Sequence, residues 1–89
     1  MSAMIQADPD ELDRAANALN RTKEMLLSSA KGLRMTMSYL PRFRGQAADR
    51  FRQEMDKLAR STQQQAEEVG RQAESLRRLA RELRAVRMR

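Results

Sequence analysis

Leu40-Pro41-Arg42-Phe43-Arg44-Gly45-Gln46 divides the chain into two periodic halves, and its reading decides the fold. Proline lacks an amide hydrogen and pushes the residue before it towards extended backbone, so a helix arriving from the N-terminal side stops at Leu40. Gly45 supplies the backbone freedom to close a loop, or to let the next helix start close to the first. No other segment in the middle of the chain carries a turn signal, and a helical pattern resumes at Ala48.

Upstream of the turn, Asp8-Pro9-Asp10-Glu11 opens a helix. Asp8 suits the N-cap and Pro9 the first helical position, and the two acids that follow face the positive end of the helix dipole. Leu12, Leu19, Leu26, Leu33 and Leu40 then fall seven apart, with Ala16, Lys23, Ala30 and Met37 four residues after the first four. Alternating steps of four and three mark a coiled-coil seam. A ladder of small residues, Ala15, Thr22, Ser29 and Thr36, runs beside it, and the pattern passes through Gly32 in phase. Downstream, the same steps connect Ala48, Phe51, Met55, Leu58, Thr62, Gln65, Val69, Gln72, Leu76, Leu79, Leu83 and Val86, flanked by Ala59, Ala66, Ala73 and Ala80. The spacing predicts one domain over residues 1–89, with helix 1 over about 9–40, a turn at 41–45 and helix 2 over about 46–87.

Two long helices joined by so short a loop make an all-α, antiparallel helix-turn-helix hairpin. Its expected seam is Leu12, Leu19, Leu26, Leu33, Met37, Leu40, Phe51, Met55, Leu58, Val69 and Leu76. Setting residue 40 opposite residue 46 brings Lys23 level with Gln63, so that polar seam positions of both helices share a layer. The small-residue ladders leave each helix with a stripe that a second hairpin would cover. The expectation is a dimer forming a four-helix bundle, either with itself or with a sister hairpin. Lys23, Thr62, Gln65 and Gln72 are the positions that would select between those partners.

The same register lets helix 2 overhang helix 1 by residues 78–89. Residues 71–89 hold seven arginines and two glutamates, which concentrates much of the net charge of +6 at this end. Leu79, Leu83 and Val86 with Arg81 and Arg84 read as an amphipathic tail that docks into a groove on another protein or lies on an anionic membrane. Nucleic acid is disfavoured, because the tail offers no aromatic side chain to stack on bases and no DNA-reading motif. A basic coiled-coil adaptor for an anionic surface or nucleic acid is the alternative function this end suggests.

Composition removes other classes. The 89 residues contain neither Cys nor His, which excludes thiolate nucleophiles, Cys/His zinc sites and the usual neutral-pH acid–base group. No cofactor and no catalysis are expected. The carboxylates Asp49, Glu54 and Asp56 alternate with Arg50, Arg52 and Lys57 as surface ion pairs would. No apolar run is long enough to span a membrane, and Met1-Ser2-Ala3-Met4-Ile5-Gln6 lacks the basic and apolar regions of a signal peptide.

Phe43-Arg44-Gly45-Gln46-Ala47-Ala48-Asp49-Arg50-Phe51 resembles the central stretch of the WXG100 (ESAT-6-like) proteins, with Trp-x-Gly in the turn, small residues after it and a Phe opening helix 2. Ile5 followed by Ala7-Asp8-Pro9-Asp10-Glu11-Leu12 is similar to the opening of many members, and the resemblance spans nearly the whole chain. It implies a non-enzymatic secreted substrate, or a co-secreted partner or chaperone, of a type VII secretion system. Such a protein acts through protein–protein contact, resides in the cytoplasm before export and leaves without a cleaved signal peptide. It also implies a sister hairpin, a secretion ATPase or a larger fused effector as partners, and a structural role for Phe43 and Gly45 at the turn end. Two departures stand out. Phe43 replaces the usual Trp and loses the indole N–H donor. The export signal Tyr-x-x-x-Asp/Glu after helix 2 is absent, since the single tyrosine is Tyr39, four residues before Phe43. A partner would then supply the signal, or export would depend on another feature.

Overall fold

A computed structural model of the chain describes residues 6–88. The readings that involve Met1–Ile5, and Arg89 of the tail, lie outside the described residues. Helix α1 runs from Pro9 to Met35, a short 3-10 helix follows over Thr36–Tyr39, and helix α2 runs from Gln46 to Arg87. The two α-helices pack antiparallel into a rod of 67 × 24 × 14 Å.

Asp8 caps α1 with extended backbone, and its carboxylate accepts from the Asp10 amide at 2.9 Å. One of the orphan donors of the first turn is thereby satisfied. The α-conformation ends five residues earlier than the position of Pro41 predicts. The Met35 carbonyl accepts from the Ser38 hydroxyl at 2.6 Å, and Leu40, held by Pro41, has φ −128° and ψ 59°. Local side-chain bonds and the pre-proline restriction together tighten the last turn into 3-10 geometry. That change of pitch takes Leu40 off the seam of α1, and it is exposed.

The turn itself is closed twice. The Phe43 amide donates to the Leu40 carbonyl at 3.1 Å, completing a β-turn with Pro41 in its second position. Gly45 then takes φ 101° and ψ −174°, a region essentially reserved for glycine, and its carbonyl accepts the first bond of α2 from Asp49 at 3.0 Å. Phe43 packs edge-on to Phe51, ring centroids 6.3 Å apart, tying the loop to the second turn of α2.

The core of this hairpin is alanine. Apart from Pro9, the buried residues are Ala16 and Ala30 of α1 and Ala48, Ala59, Ala66, Ala73 and Ala80 of α2, each at most 1% exposed. The α2 contact line is therefore rotated by one position from the one expected. Ala59, Ala66, Ala73 and Ala80 form it, while Leu58, Gln65 and Gln72 lie outside it and exposed. Methyl side chains allow the two helix backbones to approach closely, and larger side chains then fit only on the flanks of the contact. Leu12, Leu19, Leu26, Leu33, Met37, Phe51, Met55, Val69 and Leu76 are accordingly half-buried.

The register differs too. Lys23 lies across Gly70, where a Cβ would sit 3.3 Å from the lysine Cδ and Nζ. This places Lys23 about one heptad further along α2 than Gln63, the level first expected. Gly70 is thus the notch that lets a long cation cross a seam otherwise made of alanine.

Candidate functional site

Each helix has two flanks beside its alanine line, and they differ in chemistry. On one flank, arginines bridge the helices. Arg34 donates to the Gln63 side chain at 2.8 Å and sits 3.7 Å from the Asp56 carboxylate, which also pairs with Arg60. Arg77 donates to Asn17 at 2.6 Å. Arg84 reaches Asp13 at 2.7 Å and Asp10 at 2.6 Å, and these two carboxylates raise its pKa further above an already high value. Leu27 is the apolar member of this flank, three residues before Ala30.

The opposite flank holds Leu12, Leu19, Leu26 and Leu33 with Ala15, Thr22, Ser29 and Thr36 beside them. From α2 it takes Met55, Thr62, Val69, Leu76 and Leu83, bordered by Phe51, Leu58, Gln65, Gln72, Leu79 and Val86. Helical spacing of three and four puts these residues side by side along the rod. None of them is charged, although 34% of the chain is. Leu58 is 47% exposed and Val86 63%. The other large apolar residues of this flank are half-buried.

The basic tail does not project as an overhang. Ala80 is fully buried, Arg84 is tied to Asp10 and Asp13, and Arg87 donates to the Ala7 carbonyl at 3.3 Å. Arg81 pairs with Glu74 of its own helix. Leu79 and Leu83 are half-buried, which leaves Val86 and Met88 as the exposed large apolar residues of this end. The acidic start of α1 takes up the charge of α2's end because the two lie side by side. Pairing was legible in the charges alone: acids cluster in residues 8–13 and arginines after residue 76. The expected register placed Arg84 level with residue 2, out of reach of Asp10 and Asp13. Further along α2, Glu68 is held below the usual carboxylate range by hydrogen bonds from Gln72 and Arg71 and by the charge of Arg71.

An open cleft of about 450 Å³ lies near the turn, lined by Arg34, Met37, Arg52, Gln53, Met55 and Asp56. Among the described residues no group of side chains is arranged to hold a metal ion, and no helix is long and apolar enough to cross a membrane.

Fold and surface together define a small helical-hairpin protein whose most distinctive feature is a continuous uncharged face, with no constellation of reactive groups among the described residues. The family described as WXG100, proteins of 100 residues with WXG, matches residues 4–86, and the chain belongs to that family. Phe43 and Gly45, at which the sequence resembles Trp-x-Gly, stand in the turn between the helices, with Gly45 at positive φ. WXG100 proteins are small, non-enzymatic helical proteins of type VII secretion, exported without signal peptides and typically paired as dimers. No curated protein and no solved structure gives a significant match.

Proposed function

We propose that this chain is a substrate or co-secreted partner of a type VII secretion system, and that it works as half of a four-helix bundle. A second hairpin, a copy of this chain or a sister protein, covers the uncharged flank. The observation that carries this reading is the division of the surface. The interhelical arginine contacts fall on one flank, and the flank facing away from them is free of charge. An alanine core supports it energetically. Each buried methyl contributes about 0.8 kcal/mol, which is small against the roughly 1–2 kcal/mol of backbone entropy lost per ordered residue. Covering the leucine and methionine side chains of the flank supplies burial that one hairpin lacks. The small hydroxyl and methyl groups of Ala15, Thr22, Ser29 and Thr36 let the second hairpin approach closely.

Sedimentation tests the pairing. The chain alone, or mixed with a sister hairpin encoded beside it, sediments at twice the 10.3 kDa chain mass or more. Leu58→Glu and Leu26→Glu place charge in the interface and return it to monomer. A wild-type chain that stays at 10.3 kDa with every candidate partner overturns the reading. Export is tested by deleting the secretion ATPase and following this chain in the culture fluid.

A further inference from the structure

The turn end carries a second surface, which shares only Met55 with the uncharged flank. Of residues 41–53, four are arginine and one is aspartate. Arg52 meets that aspartate, Asp49, at 3.1 Å. Arg42, Arg44 and Arg50 have no carboxylate partner among the described residues. Tyr39 beside them is 80% exposed. Arg52 of this cationic stretch also lines the 450 Å³ cleft, to which the 3-10 helix contributes Met37. Met37 and Met55 supply its apolar lining, and Arg34, Arg52, Gln53 and Asp56 its polar groups. Arg34 and Asp56 belong to the charged flank and of the lining residues only Met55 belongs to the uncharged one, so covering that flank leaves the polar side of the cleft open.

We propose that this cleft and the arginines around it are a docking site for an acidic peptide segment that inserts one apolar side chain. Charge complementarity selects the acid: carboxylates of the segment meet Arg52 and the unpaired Arg42 and Arg44. The two methionines select the apolar anchor, because a flexible thioether lining adapts to different side chains. Asp56 and Gln53 at the same cleft distinguish a peptide from other polyanions. A peptide backbone offers N–H donors to the Asp56 carboxylate and both donors and acceptors to the Gln53 amide. A phosphate-dense strand offers Asp56 only repulsion, and a bilayer surface does not enter a concave cleft.

The test uses the full-length chain and a fluorescein-labelled peptide, Asp-Glu-Asp-Leu-Asp-Glu-Asp, followed by anisotropy at low salt. Saturable binding is expected. It weakens about tenfold in Arg52→Glu, and about tenfold in Arg42→Glu with Arg44→Glu. It also weakens about tenfold when the peptide's leucine is changed to serine. Arg52 is half-exposed and bonds only within its own helix, so Arg52→Glu retains the fold, which circular dichroism checks. Gln53→Trp, which fills the cleft from its exposed rim, also abolishes the leucine-dependent part. Absence of binding overturns the proposal, as does equal binding of the serine peptide, which reports charge alone. Preference for phosphatidylglycerol vesicles or for a DNA oligonucleotide over the peptide overturns it as well. The signal is read per chain, so it stands or falls independently of whether sedimentation finds a dimer.

Discussion

The two ends of the rod are built from the same materials, arginines beside small residues, yet they are opposites. At the open end, Arg84 is held by Asp10 and Asp13, and Arg87 by the Ala7 carbonyl. These two arginines of the last turns of α2 are spent on closing the hairpin. At the turn end the covalent chain itself joins the helices, and its path is held by the β-turn at Leu40–Phe43, the glycine-only backbone of Gly45 and the Phe43–Phe51 contact. Arg42, Arg44 and Arg50 are not needed for closure and remain available. Where the covalent chain already joins two helices, basic residues can be kept for a partner. Where it does not, they are recruited as ties.

The contrast can be broken most forcefully at the alanine line. Ala48 near the turn and Ala80 near the open end are both fully buried. Leucine at either position overpacks the contact, at a cost of about 1–3 kcal/mol. The joined end cannot splay, so Ala48→Leu is expected at about 3 kcal/mol and Ala80→Leu at about 1 kcal/mol in urea unfolding. Equal losses at both would show that the turn gives its end no added rigidity. Next in size is Gly45→Ala, which forces a methyl-bearing residue to φ 101°. No neighbouring atom crowds the added Cβ, so the cost is backbone strain of about 2 kcal/mol. A loss below about 0.5 kcal/mol would mean that the loop relaxes into another turn. The smallest effect belongs to Arg84→Ala. Its partners are exposed carboxylates, so the global unfolding midpoint moves little. Amide exchange should quicken only at the start of α1 and the end of α2, and the difference should fade towards about 1 M salt. Faster exchange at the turn as well would show that the two ends are coupled.

Much of this molecule is written in the order of its residues. Asp8-Pro9, the heptads on either side of Pro41 and the shortness of the loop specify two helices folded back on each other, because capping and helical periodicity are local properties. The likeness of Phe43-Arg44-Gly45 to Trp-x-Gly likewise lies in the order of the residues. The choice of contact line did not follow from periodicity. Ala59 and Leu58 stand on neighbouring rows of one helix, and both rows repeat every seven residues. Only the packed pair decides between them, since close approach of two backbones favours the methyl and turns the leucine outwards. The register was equally open to the sequence. It depends on how the 3-10 segment shortens α1, and on the fit of Lys23 over Gly70. That register converts an apparent basic tail into ties to Asp10 and Asp13, and it leaves one uncharged flank continuous. Sequence by itself determined the hairpin. Tertiary structure decided which residues are its core, which charges are used up within it and which face is left uncharged, because close approach and register are relations between two helices and not properties of either one.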